Sequence, residues 1–321
     1  MIRERRKIWL FITLLTVCGT TSFASCSLNK DNASEQSNIT VIANNVCAFS
    51  QTHTNGFTID IRTMTEPTEG IAVSYAIPLD GKVAEILERD TIFFGTTGDY
   101  RPLSFCEPDG TYWGFGIEVA NEIAKRLGVV PAFKKTSWPT LTADVLTEPQ
   151  LFDLAIGGIT ITDARRETML MSEGYLANGK TILCRATEAD RYKSLEDIDK
   201  PEVTVMVNPG GLNEKFANEN LTHAKIVVHQ KNEEIPALVA EGVADVMITE
   251  ITEAPYYVQT DTRLAAPLLN APFNHGEIGV LMQKGQDDLL QMVNNVIRQM
   301  KSDGSLRKLH EKYGLVYAYN P

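Results

Sequence analysis

The sequence of 321 residues lacks the residue patterns of several common kinds of catalytic site. Its five cysteines and five histidines are scattered, with no CxxC pair and no Cys/His spacing typical of a metal site. GxSxG and HExxH are absent, and the glycine-rich turns lack the lysine-threonine or lysine-serine end of a phosphate-binding loop. We therefore expect neither a metal nor another cofactor.

Hydrophobic runs long enough to span a membrane are also lacking. Basic residues within positions 3–7 precede a ten-residue apolar run, Ile8 to Val17, which is interrupted only by threonine and is followed by small residues. Ten residues are too few to cross a bilayer, whereas this order of basic, apolar and small residues is typical of an export signal. We interpret residues 1–25 as a signal peptide and expect a periplasmic protein.

The cysteines leave open how the exported chain is processed. Cleavage after Ala24 releases a protein without an anchor, whereas cleavage before Cys26 places a lipid on that cysteine. Export also permits a disulfide, and Cys47 with Cys106 is the first pair to test, while Cys184 is expected to be a buried free thiol.

Basic residues are fewer than acidic residues, 30 against 41. The formal net charge is −11, and it becomes −14 once the signal peptide, with four basic residues and one acidic residue, is removed. No long basic stripe remains, so nucleic acid is not an expected partner. An anionic ligand must be bound by a few local cations and helix N-termini, which makes single basic residues in a cleft informative.

What the sequence does contain is an alternation of strand and helix patterns, which predicts α/β structure with parallel sheets. Strands are predicted at 91–96, 132–135, 154–156, 203–207, 225–229 and 244–248, with a return through 278–282. Helices are predicted near 83 and at 117–127, 194–198, 213–220, 235–241, 252–259, 287–302 and 304–313. The stretch 41–82 shows strand-like alternation but indicates no function.

Three glycine-bearing turns each follow a predicted strand and, by their pattern, open toward a helix. They are GTTGDY at 95–100, GGITITDARRE at 157–167 and NPGGLNEKF at 208–216. Ligands of open α/β sheets bind at the carboxyl ends of strands, so these turns are expected to converge on one cleft. Such a cleft belongs to a small-molecule receptor or to an enzyme built like one.

With these motifs the chain resembles the type II periplasmic solute-binding proteins, an α/β family with two lobes and a ligand cleft between them. GGITITDAR is common to its polar amino-acid-binding members. The stretches TTGDYRPLSF, TSWPTL, GYLANGKT and VNPGGLNEKFANENL are similar to the cyclohexadienyl dehydratases, which act on prephenate or arogenate. The resemblance covers about 83–315 and implies a tether and extension at 26–82, lobe 1 at 83–184 plus 268–321, and lobe 2 at 185–267.

The resemblance implies roles for particular residues. Arg165, beside Thr160, corresponds to the arginine that clamps a ligand carboxylate, a task suited to a planar guanidinium. Glu253 corresponds to the general acid of the dehydratase, and Asn208 to a hydrogen-bond donor of its catalytic cleft. Taken alone, these residues have plainer interpretations as a surface charge, a partner of the helix dipole and a turn asparagine.

Further residues are implied to contact the substrate. Trp138 is expected to form a flat wall for a six-membered ring, Tyr100 to close the opposite side and Lys180 to add positive charge. Gly210 and Gly211 are expected to offer backbone N–H groups to an anion.

Two positions depart from the family pattern. Gly116 stands where an acidic residue is common, so a contact there is lost or moved. Glu250 stands where aspartate is usual, and its longer arm is expected to pair with an ammonium group or to orient a neighbour. The choice between prephenate, a keto acid, and arogenate, an amino acid, therefore stays open.

The implied reaction removes carbon dioxide and water and forms an aromatic ring, so it is strongly downhill. The protein has mainly to orient the substrate and to protonate the leaving hydroxyl. A desolvated Glu253 stays protonated for this purpose, although a helix N-terminus has the opposite effect on its pKa. The alternative function is that of a non-catalytic polar amino-acid-binding protein of an ABC transporter, and the oligomeric state is not indicated.

Overall fold

The structure is a computed structural model that describes residues 81–319 and, before them, the backbone of six strands. These are β1 Trp9–Leu14, β2 Ser22–Leu28, β3 Asn38–Val41, β4 Gln51–Thr54, β5 Phe57–Arg62 and β6 Tyr75–Pro78. Strands β1, β2, β5 and β4 form an antiparallel sheet in that order, and β3 pairs with β6. The alternation at 57–62 is thus confirmed as a strand. Strands β1 and β2 overlap the predicted signal peptide, whose processing stays a prediction.

From residue 81 onward the chain alternates helices and strands. The helices are α1 Lys82–Glu88, α2 Phe115–Leu127, α3 Leu141–Leu146, α4 Asp163–Thr168, α5 Leu195–Ile198, α6 Leu212–Asn220, α7 Ile235–Ala240, α8 Ala254–Thr260, α9 Asp287–Ser302 and α10 Ser305–Lys312. The strands are β7 Thr91–Thr96, β8 Asp99–Tyr100, β9 Ser104–Cys106, β10 Tyr112–Trp113, β11 Val130–Lys135, β12 Leu154–Thr160, β13 Met169–Met171, β14 Leu176–Asn178, β15 Lys180–Arg185, β16 Thr204–Val207, β17 Lys225–Val228, β18 Val246–Glu250, β19 Leu264–Ala265 and β20 Gly276–Gln283. No helix in this part is long and apolar enough to cross a bilayer.

These strands form two mixed sheets and a small antiparallel one. The first mixed sheet has the order β11-β7-β12-β20-β13, with β14 also paired to β20, and the second has the order β17-β16-β18-β15-β19. In the second sheet β17, β16 and β18 are parallel, as the alternating pattern predicts. The small sheet has the order β10-β9-β8.

The chain divides into two compact units. One comprises the chain before residue 93 together with 121–132 and 286–296, and within it the Asp288 carboxylate accepts a hydrogen bond of 2.7 Å from the backbone N–H of Val83. The other comprises 93–120, 133–285 and 297–321 and contains the whole second sheet. The lobe boundaries inferred from the sequence stay a prediction.

The central strand of the second sheet shows how the core positions functional side chains. All five residues of β18, VMITE, are buried, and the apolar ones pack against both faces of the sheet. A parallel strand covered on both faces reads as a continuous apolar run rather than an alternating one. The strand therefore carries its last residue, Glu250, into the interior.

The long elements agree with the sequence-based expectations, whereas short strands were missed. Strand β7 and helix α9 have their predicted bounds, and α2 ends, as predicted, at Leu127, where Gly128 follows with a positive φ of 77°. The expectation that the turn at 95–100 opens toward a helix is wrong, because the chain first forms β8, β9 and β10. Strands of two or three residues are too short to show a period.

The cysteine expectations are partly tested. Cys184 is a buried free thiol in β15, as expected, and Cys106 is also a free cysteine. Cys47, the partner proposed for Cys106, lies outside the described residues.

Candidate functional site

The expected site residues gather around one cavity inside the second unit. Eight of the ten line it, namely Tyr100, Trp138, Thr160, Arg165, Lys180, Asn208, Gly211 and Glu250. The remaining lining residues are Gly158, Leu212, Asn213 and Asn232. Both mixed sheets contribute, because β12 and α4 carry one group of side chains while β15, β18 and α6 carry the other. Gly210 and Glu253 are not among the lining residues.

Two aromatic rings form the apolar part of the cavity wall. The rings of Tyr100 and Trp138 meet edge to face, with centroids 5.7 Å apart and an interplanar angle of 88°. The Trp138 indole N–H donates a hydrogen bond of 3.1 Å to the Asp99 carboxylate. This bond satisfies the indole N–H and restricts rotation of the ring.

Gly158 permits the close approach of the Tyr100 ring. It has a φ of 107°, and a Cβ atom placed there would overlap that ring. The pairing of β12 with β20 shifts register between Ala155 and Ile159, so the strand bulges at this point. Gly158 therefore makes room for the cavity wall, whereas its neighbour Gly157 makes room for Ser104 and Thr96.

Gly116, which stands where an acidic residue is common in the family, lies close to the backbone of Gly157. A Cβ atom on Gly116 would lie 2.8 Å from the Cα atom of Gly157. An acidic side chain at this position does not fit the backbone packing of this chain. That a contact of the family is lost or moved here stays a prediction.

Arg165 enters the cavity from the first turn of α4. The Thr162 hydroxyl caps this helix by accepting a bond of 3.2 Å from the Arg165 backbone N–H. One guanidinium nitrogen donates to the Thr160 carbonyl at 2.6 Å, and no carboxylate within residues 81–319 pairs with the group. Burial lowers the pKa of Arg165, and the nearby Glu250 opposes this effect. The guanidinium stays charged, with donors free for an incoming carboxylate.

Glu250 is the centre of a buried network that spans the cavity wall. One carboxylate oxygen accepts bonds from the Lys180 ammonium at 2.7 Å and from the Thr160 hydroxyl at 3.3 Å, while the other accepts one from the Tyr100 hydroxyl. The ammonium also donates to the Asn213 amide oxygen at 2.5 Å. Burial alone raises the pKa of Glu250, but the charge and hydrogen bond of Lys180, together with hydrogen bonds from Tyr100 and Asn178, outweigh it, and the net shift is downward.

Glu253 has the opposite electrostatic state. It is wholly buried just before α8, and its carboxyl group accepts bonds from the Thr249 hydroxyl at 2.5 Å and the Asn232 amide at 2.9 Å. Burial raises the pKa of Glu253 to about 8; these two hydrogen bonds oppose the rise, and repulsion by Glu250 and Asp99 adds to it. Desolvation therefore outweighs the two hydrogen bonds, and the group is mostly protonated at neutral pH.

Asn232 connects this acid to the cavity and was not identified from the sequence. It lines the cavity, is almost fully buried, and donates both to Glu253 and, at 3.1 Å, to the Asp99 carbonyl. Among the described residues, its own amide oxygen has no hydrogen-bond partner. The available signal was weak: an asparagine shortly after the end of a strand.

The turn at 208–211 supplies polar groups from the second sheet. Asn208 is buried, and its amide oxygen accepts a bond of 3.3 Å from Asn213. Gly211 lines the cavity, whereas the N–H of Gly210 donates to the Glu214 carboxylate at 2.6 Å. Of the two glycines expected to serve an anion, Gly210 thus has an internal partner.

The assembled groups suit an anionic, partly apolar ligand. They comprise a guanidinium that forms no ion pair within residues 81–319, two aromatic rings and a neutral carboxylic acid behind an amide. Within the described residues no group of three or more metal-ligating side chains occurs.

The sequence is similar to a family of bacterial binding proteins and to an enzyme. Residues 92–316 match the bacterial extracellular solute-binding proteins, family 3. The chain is 35% identical over 234 residues to cyclohexadienyl dehydratase of Pseudomonas aeruginosa, covering 73% of this chain and 86% of that one. It is 28% identical over 235 residues to an L-cystine-binding protein of Escherichia coli, again covering 73% and 86%.

A solved structure shows the same similarity at the level of the fold. An ancestral amino acid-binding protein, described as a precursor of cyclohexadienyl dehydratase, matches 73% of this chain and 99% of its own with 37% identity and a TM-score of 0.66. The expected solute-binding fold and the resemblance to cyclohexadienyl dehydratase are thereby confirmed.

Proposed function

Because the chain belongs to family 3 of the bacterial extracellular solute-binding proteins, we propose that it carries out the dehydratase reaction and not only ligand binding. The proposed reaction converts prephenate to phenylpyruvate, arogenate to phenylalanine, or both, in phenylalanine biosynthesis. The protein is then a carbon-oxygen lyase that works in the periplasm and needs no cofactor.

The observation that carries this proposal is the buried, neutral Glu253 beside a cavity with an uncompensated cation. A receptor gains nothing from a carboxylic acid that is wholly buried and has a pKa of about 8. A general acid needs that property, because it must hold a proton at the working pH and release it to a leaving group.

The mechanism follows from the placement of the groups. Arg165 binds a substrate carboxylate, and the rings of Tyr100 and Trp138 hold the cyclohexadiene ring. Glu253 transfers its proton to the ring hydroxyl, and the bond from carbon to that oxygen breaks to release water. The bond to the ring carboxylate breaks as carbon dioxide leaves, and its electron pair completes the aromatic ring.

Asn232 has a positioning role in this scheme. Its amide contacts both the acid and the cavity, so it must yield its 2.9 Å bond to Glu253 when the proton is delivered. Asn208 assists from the opposite wall by hydrogen bonding to the substrate.

The test is direct incubation of the purified protein with prephenate and with arogenate, following the aromatic product by absorbance. We expect turnover in the native chain, a loss of about 100-fold or more in kcat for Glu253→Gln, and a large rise in KM for Arg165→Ala. Glu241→Gln removes an exposed carboxylate and serves as the matched control with native activity.

Absence of turnover with both substrates, in protein that is folded and binds one of them, contradicts the enzyme proposal. It then favours the alternative, a polar amino-acid-binding protein of an ABC transporter. The similarity to an L-cystine-binding protein and to an ancestral amino acid-binding protein supports that second candidate. Thermal shifts with a panel of amino acids, without any chemical change in them, distinguish it.

A further inference from the structure

The charges that line the cavity do not match an amino acid. Among the lining residues three carry a charged side chain: Arg165, Lys180 and Glu250. Two of these are cations and one is an anion, and Glu253, close behind the wall, is mostly neutral at pH 7. The net charge of the lining side chains is therefore +1.

Its single carboxylate already belongs to a buried ion pair. Glu250 accepts bonds from Lys180, Thr160 and Tyr100, which occupy both of its oxygens. Its side chain is only 6% exposed, and the Lys180 side chain only 7%. A carboxylate has about four lone-pair positions, so little capacity remains for another donor.

An ammonium group in this cavity meets no anion that is free of another cation, and the unpaired acceptor of the lining, the Asn232 amide oxygen, is neutral. To pair an ammonium with a charge, the protein must share Glu250 between it and Lys180, or break that contact and leave the lysine unpaired. Both outcomes place more positive than negative charge in a desolvated site, which is unfavourable. A keto oxygen carries no charge and needs only a hydrogen-bond donor, which the amide groups of the lining supply.

We propose that the buried contact between Lys180 and Glu250 makes the cavity select 2-oxo acids over 2-amino acids. On the proposed function, from which this inference follows, prephenate is then the physiological substrate and arogenate is discriminated against.

The test uses a non-reacting pair that differs only in the group in question, phenylpyruvate and L-phenylalanine. Titration calorimetry of the native chain is expected to show about tenfold or more tighter binding of phenylpyruvate. Equal affinity, or a preference for phenylalanine, overturns the inference. Because binding alone is measured, the result does not depend on whether the protein turns over any substrate.

Two variants locate the cause. Glu250→Gln keeps the side-chain shape and cannot pair with an ammonium, so the preference for phenylpyruvate must persist or grow. A selective loss of phenylalanine binding in this variant shows that Glu250 receives the ammonium and overturns the inference. Lys180→Met frees the carboxylate and is expected to shift the affinity ratio about tenfold toward phenylalanine.

The control variant is Lys231→Met. Lys231 makes an ion pair of the same 2.7 Å length with Glu234, but the lysine is 64% exposed and does not line the cavity. Its loss is expected to leave the ratio unchanged. If the native chain turns over arogenate but not prephenate, the dehydratase proposal stands and this inference fails.

Discussion

At the scale of single residues, the burial of Glu253 favours the proposed proton transfer but lowers the stability of the folded protein at neutral pH. Its pKa of about 8 in the folded chain lies far above the ordinary value of 4.5. Below pH 4.5 the group is protonated in both the folded and the unfolded state. Between pH 4.5 and 8 only the unfolded chain releases the proton, so the free energy of unfolding falls as the pH rises through this window.

Glu253→Gln is therefore expected to stabilise the protein while it abolishes the proposed activity. The gain in the free energy of unfolding is roughly 3 kcal/mol at pH 7 and vanishes at pH 4, because the neutral amide has no proton to lose. Urea denaturation at both pH values measures it, with Glu241→Gln as the control. Equal gains at pH 4 and pH 7 contradict the assigned pKa.

The same group sets the pH dependence of the proposed reaction. A general acid must be protonated, so kcat/KM for prephenate is expected to be flat below pH 7 and to fall with rising pH above about 8. Initial rates between pH 5.5 and 9.5 test this, in the range where the protein stays folded by circular dichroism. A profile that rises through pH 8 is that of a general base instead.

Gly158 is a residue whose side chain is excluded by the cavity wall. Gly158→Ala places a methyl group against the Tyr100 ring and is expected to cost about 2 kcal/mol or more of stability and to weaken ligand binding. Gly285→Ala is the matched control, since Gly285 also has a positive φ, 86°, but open space around it. It is expected to cost only about 1 kcal/mol and to leave binding unchanged.

At the scale of elements, short helices depend on their caps to hold functional side chains. Thr162 caps α4, which carries Arg165, and Ser194 caps α5 in the same way by accepting a bond of 3.3 Å from the Asp197 N–H. Each substitution to alanine is expected to cost about 1 kcal/mol of stability. Only Thr162→Ala is expected to weaken carboxylate binding, by several-fold, because it loosens Arg165.

Calorimetric titration with phenylpyruvate compares the affinity of Thr162→Ala with that of Ser194→Ala. Thr162→Ser keeps the capping hydroxyl and is expected to restore binding. Equal binding by Thr162→Ala and Ser194→Ala shows that the cap does not position the arginine.

The predictability of the elements follows their length. Helix α9, with 16 residues, and strand β7 were predicted to the residue. Strands β8, β10 and β19 have two residues each, and neither their existence nor their pairing is encoded in a local period. Tyr100 was placed on a turn for this reason, although it lies in a strand.

At the scale of the whole molecule, the site depends on bonds between separate sheets. The Tyr100 hydroxyl in the small sheet donates to Glu250 in the second mixed sheet, across 150 residues of sequence. Tyr100→Phe leaves a buried carboxylate oxygen short of a donor and is expected to cost about 1–3 kcal/mol of unfolding free energy.

Tyr257→Phe is the control for this bond. The Tyr257 hydroxyl is buried and has no hydrogen-bond partner among the described residues, so its removal is expected to be neutral or stabilising. Urea denaturation of both variants measures the difference, and an equal loss in the two contradicts the importance of the bond to Glu250.

The sequence by itself determined the long elements, the family and most of the residues around the cavity, because periodicity, turn chemistry and motifs are properties of neighbouring positions. Only the tertiary structure decided which charges are compensated. Lys180 meets Glu250 across 70 residues of sequence, Arg165 forms no ion pair with a carboxylate within 81–319, and Glu253 is neutral because distant segments bury it. Desolvation and ion pairing depend on groups far apart in the chain, so they exist only once it has folded.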